Sequence, residues 1–335
     1  MRIGLSYDLK ESISSGRDNL PEDAFEEYDY PATINYISSA VESGGHSVIR
    51  LGGGRQFIEN ILREKVDIVF NISEGRGTYR SREAQVPSVL EMLNIPYTGA
   101  DPECLAVCLD KPLTKKLVTL AGIATPPWLT IKNKDELYSI PWSEIAFPLI
   151  IKPAFEGSSK GVKLSSTVNN QEEAIEVASQ TLELYRQPVM LEGFIKGDEV
   201  TVGIVGNSPP MIVGIMRILP KKPVEHFVYS VEVKRDWQNL VDYECPAKID
   251  KIILDRITND SLKAFRTLEC RDFTRIDFRI GPDGIPYFIE INPLPGLGDY
   301  SDLVIMAIKM DWSHEALIRA VLNAALERYA LCVEK

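Results

Sequence analysis

Thr274-Arg275-Ile276-Asp277-Phe278-Arg279-Ile280 and Tyr287-Phe288-Ile289-Glu290-Ile291-Asn292 are two strand-like runs, separated by the turn-rich connector Gly281-Pro282-Asp283-Gly284-Ile285-Pro286. Apolar and polar residues alternate in both runs, and the connector has the composition of a hairpin loop. If the runs fold back symmetrically, Asp277 falls opposite Glu290 and Arg275 opposite Asn292, with all four on one face. Two carboxylates and an amide oxygen, with no Cys or His, form the ligand set of a hard cation such as Mg²⁺, which is commonly shared with substrate phosphates. A solvated outer strand face shows the same alternation, so the hairpin by itself leaves both readings open.

The 335-residue, 37.5 kDa chain is too long for one ordinary core and predicts two or three domains. Hydrophobic content of 44% and charged content of 25% are those of a soluble globular protein. A net charge of −11 leaves no basic surplus for binding nucleic acid at large. No apolar run approaches the roughly 18 residues of a membrane span, and the opening Met1 to Tyr7 reads as a strand, not a signal peptide. The five cysteines, Cys104, Cys108, Cys245, Cys270 and Cys332, are scattered and odd in number. With only three His in the chain, they read as buried thiols of a reducing compartment, which predicts a cytoplasmic protein.

Strand and helix alternate over the first hundred residues. Ile3–Tyr7 and Val66–Ile72 are strand-like, and Pro31–Val41 and Arg82–Leu93 are helical, so a small open parallel sheet is expected. A boundary falls near Gly99–Pro102. Beyond it come a helix at Lys111–Ala121, a strand at Pro148–Pro153, a helix at Glu172–Leu184 and a strand at Val189–Ile195. Two further strands, Glu199–Val205 and Met211–Leu219, flank an Asn-Ser-Pro-Pro turn. The final helix, from about Ser313 to Leu331, carries Ala316, Leu317, Ala320, Val321, Ala324 and Leu331 on one face, which is either core or a dimer surface.

Ala154-Phe155-Glu156-Gly157-Ser158-Ser159-Lys160-Gly161-Val162 is a small-residue loop in which backbone amides can approach an anion. It lacks the Gly-Lys-Ser/Thr ending of a P-loop, and such loops also serve as plain turns. Lys152 ends the preceding apolar strand, either snorkelling or held for a phosphate.

Taken in order, Asp110-Lys111, Ile151-Lys152-Pro153, the glycine loop, Leu191-Glu192-Gly193-Phe194-Ile195, Glu199-Val200-Thr201-Val202, Arg275-Ile276-Asp277 and Glu290-Ile291-Asn292-Pro293-Leu294-Pro295-Gly296 resemble the ATP-grasp superfamily, most closely its D-alanine–D-alanine ligases. The resemblance runs from about residue 95 towards the C-terminus. It implies an α/β, in part α+β, ATP-grasp fold: a Rossmann-like parallel α/β domain over residues 1–99, then α+β domains over 100–188 and 189–335 that sandwich ATP.

By position, the resemblance assigns Lys111 and Lys152 to ATP phosphates and Ser158 and Ser159 to a loop closing over the γ-phosphate. It assigns Glu192, Gly193, Phe194 and Ile195 to the adenine edge and Glu199 to the ribose. Asp277, Glu290 and Asn292 become ligands of two Mg²⁺, with Mn²⁺ as a substitute. Arg275 becomes the oxyanion partner, Lys234 a mobile-loop lysine that reaches phosphate, and Gly296 and Ser301 neighbours of the second substrate. The implied activity is ATP-dependent joining of a carboxylate to an amine through an acyl phosphate. Amino acids or peptides are the implied substrates, in a homodimer without nucleic-acid or membrane partners.

This chain departs from the family pattern at three places. Arg235 stands where the family usually has Tyr, and its fixed charge suits a carboxylate. The N-terminal acid for the first substrate is either Asp8 or Glu11, with Glu26–Tyr30 resembling an insertion. Asn71–Gln85 replaces a His-Gly stretch, so Glu74, Arg80, Arg82 and Glu83 either line a substrate pocket or form a solvated helix entrance. Another amino-acid, dipeptide or specialised-metabolite ligase is therefore an alternative reading, and a non-catalytic ATP-binding protein a more distant one.

Overall fold

The computed structural model describes residues 1–12 and 20–331; Cys332 lies outside them. Arg2–Ser6 (β1), Ser47–Gly52 (β2) and Ile68–Asn71 (β3) form the expected open parallel sheet, in the order β2-β1-β3. Helix Pro31–Ser43 starts on its proline, stops at Gly44, and buries Ile34, Ile37 and Val41, the apolar stripe seen in the sequence. Strand β2 and helix Gly54–Arg63 add a further βα pair between the expected ones.

Trp128–Ile131 (β4), Leu149–Pro153 (β5), Thr167–Val168 (β6) and Val189–Gly193 (β7) make an antiparallel sheet in the order β4-β7-β5-β6. Helix Gln171–Tyr185, started by the Asn170 side chain accepting from the Glu173 amide, covers it with Ala174, Ala178 and Leu182. Asp198–Val205 (β8), Met211–Pro220 (β9), Val241–Glu244 (β10), Phe273–Ile280 (β11) and Pro286–Asn292 (β12) form the largest sheet, antiparallel in the order β10-β9-β8-β11-β12.

The apolar cores group these layers differently from the expected domain limits. One continuous core joins Ile3, Ile34 and Phe70 of the first layer to Val202, Ile276, Phe288 and Val321 of the last. Leu105, Cys108 and Val118, from helices Pro102–Leu109 and Lys111–Leu120, belong to it too. The four-stranded sheet keeps a separate core of Ile131, Ile151, Leu182 and Leu191. The limit at 99/100 therefore falls inside one packed body, and the limit at 188/189 cuts β7 from its partners β4 and β5. Hydrophobic packing, not the motif order, sets the division.

Helix His314–Arg328 buries Leu317, Ile318, Val321 and Ala325 in this main core, and the helix packs against helix Pro31–Ser43. Of the face read from the sequence, Leu317 and Val321 are core, Ala320 and Leu331 pack against it, and Ala316 is exposed. Cys104, Cys108 and Cys270 converge in the same core, with sulfurs 3.9 and 3.7 Å apart, as free thiols. No helix among the described residues is long and apolar enough to cross a membrane.

Candidate active site

Strands β11 and β12 pair in the register read from the sequence, with Arg275 opposite Asn292 and Asp277 opposite Glu290. A bulge follows at once, for Phe278 pairs with Phe288 and Ile289 is left as the extra residue. In an unbroken strand successive side chains point to opposite faces, but here Ile289 and Glu290 both line one cavity. That cavity lies between the four- and five-stranded sheets. Lys152, Glu192, Gly193, Phe194 and Ile195 line it from one side, and Glu199, Asp277, Arg279 and Glu290 from the other. Lys111, Ser159, Lys160 and Lys234 complete the wall. The sequence thus placed most of its nucleotide residues around one cleft. Its volume, about 70 Å³, is small for a nucleotide.

Local structure accounts for where the charges sit. The Asp110 side chain caps helix Lys111–Leu120 by accepting from the Leu113 amide at 3.0 Å, which fixes Lys111 in the first turn. From there Lys111 Nζ reaches Glu290 at 2.9 Å and the Glu156 carbonyl at 2.6 Å. Arg275 donates to both oxygens of Asp277, at 3.1 and 2.9 Å, and approaches Glu290 at 3.7 Å and Asp302 at 3.4 Å. The Asn292 side chain lies 3.5 Å from both Asp277 and Glu290. Burial opposes ionisation of Glu290, but Lys111, Lys152 and Arg275 outweigh it and hold the carboxyl well below its usual range. Asn292 Nδ2 donates to both carboxylates here, and turning the amide over would present its oxygen; an ionised carboxylate beside a second carboxylate and such an oxygen fits a hard divalent cation.

The residues matched to adenine behave differently from one another. Glu192 is buried with its carboxylate 2.8 Å from Lys152 and 3.1 Å from Lys115. Burial works against its charge, yet these two lysines keep it ionised. The amides of Gly193 and Phe194 already donate to the Pro127 and Pro148 carbonyls, at 2.8 and 3.0 Å. Arg279 takes the Ile195 carbonyl at 2.7 Å and Glu199 at 2.8 Å, and lies 4.6 Å from the Phe194 ring centre. Lys115 and Arg279 were missed by sequence reading. Each sits one helical turn or one strand pair beyond a residue that was found.

The glycine loop holds two successive non-glycine residues in the left-handed region, Ser158 at φ 51° and Ser159 at φ 59°, followed by Gly161 at φ 74°. Each left-handed serine costs on the order of 1 kcal/mol or more, and such cost gathers at ligand clamps. Ser159 Oγ donates to the Tyr229 carbonyl at 3.0 Å, and the Gly161 amide to Asp23 at 2.7 Å. A Cβ on Gly161 would lie 2.4 Å from the Pro153 ring. Gly161→Ala is therefore expected to raise the KM for ATP about tenfold, while an unchanged KM would mean that the loop does not close over nucleotide.

A second, larger cavity of about 330 Å³ adjoins the first, sharing Lys111, Glu156, Tyr229 and Lys234 with it. It also takes in Ser158, Arg235, Arg275, Gly296, Ser301 and Glu74. Ser301 starts helix Asp302–Lys309, and Gly296 lies so close that a Cβ there would meet Ser301 Oγ at 2.8 Å and turn that hydroxyl away. Lys234 lies 5.0 Å over the Tyr229 ring, and burial lowers its affinity for a proton.

Three substrate expectations change. Glu11 is exposed on the turn Lys10–Ser12 and lines neither cavity, because that turn faces outwards. Asp8 is spent on Arg76 at 2.8 Å and on the Gly75 amide. The N-terminal acids that reach the cavity are Glu26, Glu27 and Asp29, in the segment read as an insertion. Glu27 and Glu156 both bind Arg82 and Lys160, at 2.5–3.1 Å, in a buried four-residue network that ties the first layer to the glycine loop. Arg235, expected to meet a substrate carboxylate, instead pairs with the protein's own Glu22 at 2.5 Å and Glu26 at 2.9 Å. The pair with Glu22 is exposed, so water screens it, and the pair with Glu26 is only partly so. Arg235→Ala is expected to change kcat/KM less than tenfold; a greater loss would show direct substrate contact.

Fold and site together define an ATP-grasp ligase. Residues 117–323 match the family model described as D-ala D-ala ligase C-terminus. The D-alanine–D-alanine ligase of Aquifex aeolicus is 33% identical over 294 residues, covering 86% of this chain and 92% of that protein. An uncharacterised Sinorhizobium fredii protein is 28% identical over 304 residues, covering 88% and 87%. The chain belongs to the D-alanine–D-alanine ligase family. In fold it is similar to the ATP-complexed D-alanine–D-alanine ligase of Bacillus anthracis, with TM-score 0.72 and 23% identity over 100% of both chains. It is similar too to the VanG D-Ala:D-Ser ligase of Enterococcus faecalis, with TM-score 0.74 and 20% identity over 97% and 99%.

Proposed function

We propose that the protein joins the carboxylate of one amino acid to the amine of a second, with ATP as the energy source and an acyl phosphate as intermediate. One observation carries this reading: the two cavities meet at Lys111 and Lys234, beside the Arg275–Asp277–Glu290–Asn292 hairpin. In the first step a substrate carboxylate oxygen attacks the γ-phosphorus and the bond to the ADP oxygen breaks. In the second, the amine attacks the acyl carbon, loses a proton, and inorganic phosphate departs. Positioning and neutralised charge suffice, with no nucleophilic side chain.

Lys111 and Lys152 would hold the phosphates, and Ser158 and Ser159 would bring the loop down on the γ-phosphate. With the Gly193 and Phe194 amides engaged, the Ile195 amide is the backbone donor we assign to adenine, with Glu199 on the ribose. Asp277, Glu290 and Asn292 would hold Mg²⁺ or Mn²⁺, which when bound neutralises charge on the phosphoryl oxygens. Arg275 would meet the oxyanion and Ser301, beside Gly296, the second substrate. The four-stranded sheet, with its own core, is the part we assign as a lid that parts for nucleotide and closes against water. Free thiols at Cys104, Cys108, Cys245 and Cys270 support action in the reducing cytoplasm.

The test is phosphate release with ATP, Mg²⁺ and pairs of D- and L-amino acids, the product read by mass. A dipeptide formed one-to-one with ADP is expected. ATP binding without any amino-acid-dependent phosphate release would contradict the reading.

A further inference from the structure

The larger cavity has two chemically distinct ends. One, at Arg275, Lys234 and Lys111, is cationic and adjoins the nucleotide cleft, so a substrate carboxylate to be phosphorylated must lie there. The other end is walled by the first layer and is acidic, with Glu26, Glu27, Asp29, Glu74 and Glu83, and Glu156 of the glycine loop lines both cavities. Three of these acids are already matched by the protein's own cations. Glu27 and Glu156 share Arg82 and Lys160, and Glu26 has Lys10 and Arg235.

Asp29, Glu74 and Glu83 have no ion-pair partner among the described residues. Glu83 is only 8% exposed, lines the cavity, and makes no side-chain hydrogen bond within the described residues. Arg82, Lys111 and Lys160 act on Glu83 from a distance without pairing with it, and burial still opposes its charge, so a cation brought into direct contact stabilises the ionised form. The same end offers an apolar bed of Ile72, Cys108 and Leu109 and an aromatic edge, Tyr30 against Tyr300 at 5.8 Å and near right angles. Methylene stems lie well on such a bed, and a cationic head against aromatic faces.

Resting on the ligase reading above, we infer that the acyl-donating substrate is a basic amino acid, whose side chain ends in an amine or guanidinium and docks among Asp29, Glu74 and Glu83. A single α-amine leaves most of this charge unmatched, whereas a second cationic group matches it. Burial pushes Asp29 and Glu83 each up to about 7, and Glu74, facing Glu83, well above its ordinary value. An arriving cation draws these groups towards the ionised form, so the site gains negative charge as it fills.

The experiment is steady-state ADP release from the full chain with ATP and Mg²⁺, comparing 2,4-diaminobutyrate, ornithine, lysine and arginine with alanine and glutamate, each in both chiralities. A basic member is expected to exceed alanine in kcat/KM by roughly 30-fold or more, and Glu83→Gln to lower that ratio by a similar factor. Alanine equal to or better than every basic member would overturn the inference and leave the ligase reading standing. No ADP release with any member would overturn both. The wild-type comparison decides even if Glu83→Gln fails to fold.

Discussion

Glu290→Gln is expected to lower amino-acid-dependent ADP release about 1000-fold or more, the largest single loss in this protein. The glutamine keeps the shape of the side chain but removes the charge that Lys111 holds at 2.9 Å and that Arg275 faces at 3.7 Å. Several kcal/mol of charge stabilisation at the phosphoryl oxygens go with it, at about 1.4 kcal/mol per tenfold. Because Glu290 lines a cleft and not a core, thermal unfolding should move by only a few degrees. Turnover within tenfold of wild type, in a folded variant, would remove Glu290 from the metal site.

The second large effect is expected at Arg275. Arg275→Lys retains one positive charge but loses the fork that spans both oxygens of Asp277 while a third nitrogen reaches Asp302 at 3.4 Å. A donor aimed at a developing oxyanion contributes roughly 3 kcal/mol, so kcat should fall about 100- to 1000-fold. ATP affinity should stay within a few-fold, since Arg275 lines only the larger cavity. A variant in which KM for ATP rises while kcat holds would reassign Arg275 to nucleotide binding.

What the sequence discloses depends on how far each contact reaches. The hairpin was legible because alternation and a turn fix a register over a few residues, and Asp277 does face Glu290. The Ile289 bulge was not, since nothing in the local pattern marks the residue that slips. The parallel first layer followed from the alternation of strand and helix. The extent of the four-stranded sheet did not, because β7 chooses its partners across long stretches of chain, Val189 meeting both Pro153 and Ile131. The network of Glu27, Arg82, Glu156 and Lys160 joins three distant segments. Only the acidic run Glu26-Glu27-Tyr28-Asp29 before a proline-started helix hinted at it. Glu11 was chosen for its closeness in sequence to the first strand, and an outward-facing turn defeats that choice.

The departures from the family pattern share a cause in the structure. Arg235, in place of the usual tyrosine, draws Glu22 and Glu26 across the cavity mouth. The Asn71–Gln85 stretch supplies Glu74, Arg82 and Glu83 to one wall. Both changes fall on the larger cavity, away from the hairpin that carries Asp277, Glu290 and Asn292.

The most direct measurement is an anomalous difference map from crystals grown with Mn²⁺ and a non-hydrolysable ATP analogue. The expected result is metal density bound by Asp277, Glu290 and Asn292, bridging to analogue phosphates that meet Lys111 and Lys152. Metal density away from those three side chains, or an analogue lodged outside the space between the two antiparallel sheets, would contradict the account.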